Sequence, residues 1–143
     1  MDSYNPAYYS VPYQCGAMVA VFGAIQNAAM GEVNASVIDR YYGAAIQTPA
    51  LVIGTLSQKA KNHLSSMNKP IRIRYERLLT ELSEKLRGMH IPRVLTLEQQ
   101  SEFALGYYQM IAQMNRERME RAAAKKAAEA EEEDQENGDS ESV

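Results

Sequence analysis

From Tyr13 to Met30 the chain is apolar on every side of a helix, with Gln14, Gln26 and Asn27 as the interruptions. A helix with no polar face has to be enclosed by other elements or by lipid. Lipid is excluded by length: the most apolar run, Cys15 to Ile25, ends at Gln26-Asn27, well short of the roughly 18 to 20 apolar residues a span requires. Gly16, Ala20, Gly23 and Ala24 fall on one stripe at spacings of three and four, which lets a neighbouring helix approach closely. Two glycines lower helix propensity by about 1 kcal/mol each, so packing must supply the stability, and Gly31 closes the segment. The rest of the chain must therefore provide partners for this helix.

Four further helical patterns are present. Asn34 is placed to cap a short helix that runs through Tyr41 and Tyr42, with Gly43 as its expected stop, and Thr48-Pro49 starts the next one with a cap and a residue whose φ is already helical. That helix, Pro49 to about Ser66, carries Val52, Leu56, Ala60, His63, Leu64 and Met67 on one face. His63 near the centre of the stripe is expected to be a core or interface histidine with one satisfied hydrogen bond, the other reading being a ligand or base. After the break SSMNKP, Pro70 to Arg87 aligns Ile71, Tyr75, Leu78, Leu79, Leu82 and Leu86, and Gly88 ends it. Thr96 and Gln99 have the spacing of a capping box. The helix they open carries Phe103, Tyr107, Met110, Ile111 and Met114 on a stripe, its methionines filling a core or marking an adaptable interface. Residues 1–12 read as an extended lead-in. The sum is an all-α bundle of about five helices over 1–121, with a charged segment over 122–143 that fades into a disordered acidic tail.

Catalytic chemistry finds no footing in these residues. A metal centre needs three or four converging ligands, against one cysteine and two distant histidines, His63 and His90. Cys15 lies in the apolar run as a buried thiol with no base beside it, and the eight glycines form no phosphate-cradling loop. No catalytic residue, metal or cofactor is assigned, and neither a small-molecule substrate nor a membrane is expected as a partner. Asn34-Ala35-Ser36 matches a glycosylation sequon by chance, because no basic-then-apolar leader precedes it and the cytoplasm is the expected location.

Charge is the informative property. The net charge of −3 divides into all 15 Lys and Arg against 10 acids over residues 1–126, and 8 acids with no base over 127–143. Lys59 to Arg93 holds nine bases and three acids. Summed cationic charge of this kind binds phosphate backbones through counterion release. The candidate nucleic-acid contacts are Lys59, Lys61, Lys69, Arg72, Arg74, Arg77 and Arg87, with Arg40 beside Tyr41 and Tyr42. Against this stands a solvated face in a helical protein–protein adaptor, since Arg77/Glu81 and Glu81/Lys85 are spaced for ion pairs along one helix. Arg72 and Arg74 precede those glutamates and are less readily explained that way, and Ile73 points away from the apolar stripe. The acidic tail either aids solubility or screens the basic face.

The order Val33-Asn34-Ala35-Ser36-Val37-Ile38-Asp39-Arg40-Tyr41-Tyr42-Gly43-Ala44-Ala45, Thr48-Pro49-Ala50, Lys61-Asn62-His63-Leu64 and Phe103-Ala104-Leu105-Gly106-Tyr107-Tyr108 resembles the C-terminal region of the large subunit of type I-C CRISPR Cascade complexes, over residues 4 to about 115. A chain that starts at its own methionine in this region resembles the type I-C small subunit, which that family makes by internal translation within the large-subunit gene. The resemblance implies a non-catalytic helical bundle present in more than one copy. It would bridge the backbone and large subunits of a guide-RNA complex and hold target DNA, notably the displaced single strand, in the R-loop. Cleavage would belong to a separately recruited helicase-nuclease. Asp39 and Arg40 would fix the corner or face a partner.

Overall fold

A computed structural model describes residues 10–31 and 37–141, and within these every regular element is α-helical. In chain order they are α1 (Val11–Met30), α2 (Val37–Gln47), α3 (Pro49–Ser65), α4 (Lys69–Leu86) and α5 (Leu97–Glu141). The chain divides into two compact units, Met1–Ala112 and Gln113–Val143. The expected cap at Asn34 and residues 1–9 of the expected lead-in lie outside the described residues.

In the first unit α1 is the enclosed helix. Pro12 through Gly23 and Ile25 are all buried, and α2, α3 and α4 each pack against it. The helix begins earlier than its apolar pattern does, at Val11, because Ser10 caps it and Pro12 occupies the first turn without needing a hydrogen-bond acceptor. The Ser10 hydroxyl accepts from the Tyr13 N–H at 3.4 Å and donates to Glu102 Oε2 of α5 at 2.5 Å. Tyr13 continues this seam by donating its hydroxyl to Gln109 Oε1. The α1 and α5 backbones come together at two glycines: a Cβ added to Gly16 would sit 1.9 Å from the Phe103 carbonyl oxygen, and one added to Gly106 would sit 2.0 Å from that of Tyr13. Gly31 closes α1 at φ 70°, its N–H donating to Asn27 O at 2.9 Å.

Two expectations at the α2–α3 corner are corrected. Gly43 does not end α2, which runs on to Gln47; it lies on the exposed side with open space around its Cα, so the propensity loss is outweighed by burial of Ala45 and half-burial of Tyr41, Tyr42 and Ile46. Thr48 precedes α3 without capping it through its side chain. Its hydroxyl instead donates back to Ala44 O at 2.9 Å, closing α2. The buried stripe of α3 is Pro49, Ile53, Leu56, Ala60 and Leu64, which adds Ile53 and moves His63 and Val52 to a half-buried shoulder. The His63 imidazole makes no hydrogen bond among the described residues.

α4 is capped by Asn68, whose side chain accepts from Ile71 N–H at 3.4 Å, and its predicted apolar face turns inward with Leu82 alone fully buried. Gly88 at φ 75° then turns the chain into a connector, and Leu95 N–H donates to Gln47 O at 2.9 Å, tying that connector to the end of α2. The capping box forms as expected: Thr96 N–H donates to Gln99 Oε1 at 2.9 Å and Gln99 N–H to Thr96 Oγ1 at 3.2 Å. Thr96→Ala removes one of these partners and is expected to cost about 1 kcal/mol in urea unfolding. α5 carries Phe103, Gly106, Tyr107 and Met110 into the core.

The second unit differs from the disordered tail expected there. The helix persists to Glu141, and every residue from Arg118 to Gly138 is exposed. Its alanine-rich, glutamate-rich composition favours helix strongly enough to outweigh the unfavourable placement of acids at a helix C-terminus. Gln113 opens the unit by donating from Nε2 to Glu117 Oε1 at 2.7 Å and accepting from Arg116 at 2.5 Å.

Candidate nucleic-acid interface

The eight candidate cations divide into those the chain already engages and those it leaves in solvent. Lys59, half-buried on α3, holds its ammonium 5.8 Å from the Tyr41 ring centroid, so part of its charge is spent on α2–α3 packing. Arg72 pairs with Glu76 at 3.7 Å and Arg87 with Glu84 at 3.5 Å. Arg72, less readily explained by internal pairing than Arg77, does have a partner: Glu76 is four residues on, the spacing at which helical side chains meet. Arg40, Lys61, Lys69, Arg74 and Arg77 are exposed and form no ion pair among the described residues. For Arg77 this departs from the expected Arg77/Glu81 bridge.

Helix geometry sorts the free cations further. Each residue turns the helix by about 100°, so Arg72 and Arg74 lie on opposite sides of α4, whereas Arg74 and Arg77 share one. Lys59 and Lys61 likewise flank opposite edges of the buried α3 stripe. The strongest constellation is therefore Arg74 with Arg77 on the exposed side of α4, with Ile73 beside them at 39% exposure. Arg40 and Lys61 stand apart from that pair on their own helices.

The tyrosines of the corner are absorbed mainly by packing. Tyr42 meets Phe103 edge-on at 5.8 Å and Tyr107 at 4.9 Å, sealing α2 against α5, and Tyr107 meets Tyr108 at 5.0 Å. Burial, with a smaller contribution from Tyr108, pushes the Tyr42 hydroxyl above its ordinary value of 10.0, so it stays neutral. Arg40 alone of the Arg40-Tyr41-Tyr42 group faces solvent outright.

Among the described residues no group of three or more His, Cys, Asp or Glu is placed to hold a metal ion, and no helix is long and apolar enough to cross a membrane. Cys15 is fully buried, and burial pushes its thiol from 9.0 to about 12, so the nucleophilic thiolate is suppressed. The arrangement places exposed cationic side chains on helical elements.

Residues 2–114 match the family model described as CRISPR-associated protein (Cas_Csd1). The matched span takes in α1 to α4 and the core-forming part of α5, and stops at the start of the exposed charged helix. No curated protein matches the chain.

Proposed function

This chain belongs to the Cas_Csd1 family of CRISPR-associated proteins, and on that premise we propose that it acts as the small subunit of a type I-C Cascade effector. In this reading it is a non-catalytic helical subunit that bridges backbone and large subunits and steadies the displaced DNA strand of the R-loop. The observation that carries the DNA contact is the exposure of Arg74 and Arg77 on one side of α4 with no ion-pair partner among the described residues. Guanidinium groups held this way read phosphate charge and not base identity. Lys69 on the same helix adds exposed charge; Lys59, Arg72 and Arg87 contribute less, being engaged within the chain.

Arg74→Ala/Arg77→Ala is expected to weaken R-loop formation and to flatten its log–log salt dependence by roughly 0.7 per lost phosphate contact. The measurement is target-DNA affinity across a salt series, in a complex whose subunit composition is verified by mass. An unchanged slope in a fully assembled complex excludes these arginines as phosphate contacts. The adaptor reading has its own support in Ile73, an apolar residue exposed between the basic positions of α4. It predicts the opposite separation, in which Ile73→Ser lowers subunit incorporation while the affinity of assembled complexes for DNA is unchanged.

A further inference from the structure

On α5 the residues Arg118, Arg121, Lys125, Glu129, Glu132 and Glu136 follow one another at steps of three or four, which places them in a single sector of about 80°. All six are exposed and none forms an ion pair among the described residues. The order of signs along this face is unusual for a solvated helix. A self-sufficient face interleaves acid and base four residues apart, as Arg72 and Glu76 do on α4. Here the three bases adjoin one another and so do the three acids, and like charges at these spacings repel within a single helix. Even Lys125 and Glu129, where the signs meet, are not bridged.

The repulsion is relieved by a second copy laid end for end. A two-fold axis near position 127 sets Arg118 opposite Glu136, Arg121 between Glu132 and Glu133, and Lys125 opposite Glu129, and symmetry repeats each contact. A parallel pair in register would set like on like. Ala122 and Ala128 flank the stripe and add no bulk between the helices. We propose that this face of α5 is a self-complementary docking surface through which two copies of the chain pair antiparallel. The surface lies beyond residues 2–114, the span matched to the family, and is independent of the DNA contact proposed for α4. Exposed ion pairs are individually weak and screened by salt, so the association is reversible and falls steeply with ionic strength.

The test is sedimentation velocity of the full chain at low salt and at about 0.5 M salt, where the dimer is expected to weaken by at least about tenfold. Arg118→Glu/Arg121→Glu/Lys125→Glu and Glu129→Lys/Glu132→Lys/Glu136→Lys are each expected to be monomeric alone at low salt, and their mixture to associate more tightly than the wild type. For orientation, an equimolar mixture of Arg118→Cys and Glu136→Cys is expected to oxidise to the mixed disulfide faster than either variant dimerises alone. A wild type that is monomeric at low salt overturns the proposal, and this result does not depend on the variants folding. A base-reversed variant that still self-associates like the wild type also overturns it, by placing the acidic segment on another basic surface such as α4. Preferential Arg118→Cys homodimers would show a parallel pair and reject the antiparallel arrangement.

Discussion

Gly106→Ala is expected to lower the thermal midpoint of the helical bundle by more than about 10 °C, with Gly16→Ala producing a loss of similar size. A methyl group on Gly106 would lie 2.0 Å from the Tyr13 carbonyl oxygen, and one on Gly16 1.9 Å from that of Phe103. Both obstacles are backbone atoms inside helices, so no rotamer change can clear them. The α1 and α5 axes would have to separate, loosening the contacts around Tyr13, Phe103, Tyr107 and Met110, all of them buried. Overpacking of this kind costs on the order of 3 kcal/mol, and each kcal/mol shifts the midpoint of a domain near this size by about 4 to 8 °C. Gly43 and Gly54 provide the internal control. Each lies within a helix with open space where a Cβ would go, so alanine there is expected to stabilise by about 0.5 to 1 kcal/mol. Circular-dichroism melts of the four variants check both signs. A Gly106→Ala midpoint within about 2 °C of the wild type would show that the two helices do not cross at these glycines.

The same two glycines mark how far the sequence carries the fold. The all-round apolar pattern of α1 demands enclosure, and its small-residue stripe, including Gly16, announces a close neighbour. Nothing local to Gly16 identifies that neighbour as α5, because the complementary gap at Gly106 lies 90 residues away and only the tertiary fold brings the two together. A cap written in short-range chemistry, Thr96 with Gln99, is legible because both partners lie within one turn. Gly43 misleads because a lone glycine's propensity cost is small beside the burial that carries α2 through it. The acidic tail misleads for a related reason: its composition signals solvation, and exposure is compatible with either coil or helix.

The candidate interface is legible as a concentration of charge but not as a surface. Counting Lys59 to Arg93 gives the excess of cations. It cannot tell that Lys59 is turned onto Tyr41, a contact between two helices, or that Arg72 and Arg74 lie on opposite sides of α4. The hold of Glu76 on Arg72, in contrast, was available from the i, i+4 spacing alone. What the fold contributes is subtraction: of eight basic candidates it engages three within the chain and leaves Arg74 and Arg77 as the pair that shares one exposed side. The corner with Arg40, Tyr41 and Tyr42 shows the same division, since it carries the family resemblance while Tyr42 is spent on sealing α2 to α5.

Cys15 gives the other large effect, and it appears only at alkaline pH. Its thiol titrates at about 12 in the folded chain against 9.0 when unperturbed, because the thiolate would be stranded in the core around α1. Between these values the unfolded chain has released the proton while the folded chain still holds it. The unfolded state therefore binds fewer protons, and stability must fall as pH rises through this window. Below pH 9 the contribution is fully present. Across the three-unit shift the loss approaches about 4 kcal/mol, of which about 2 kcal/mol is reached by pH 10.5. Other groups titrate in the same range, so the informative quantity is the difference between the wild type and Cys15→Ala. At neutral pH the alanine variant is expected to be less stable by about 1 kcal/mol, from the small cavity left by the sulfur. With rising pH the wild type loses ground through ionisation of its unfolded chain and the alanine variant does not, so the order of stabilities reverses. Urea titrations from pH 7 to 10.5 follow the crossing directly. Parallel stability curves would mean that the Cys15 thiol ionises as readily inside the bundle as outside it, which is incompatible with its burial.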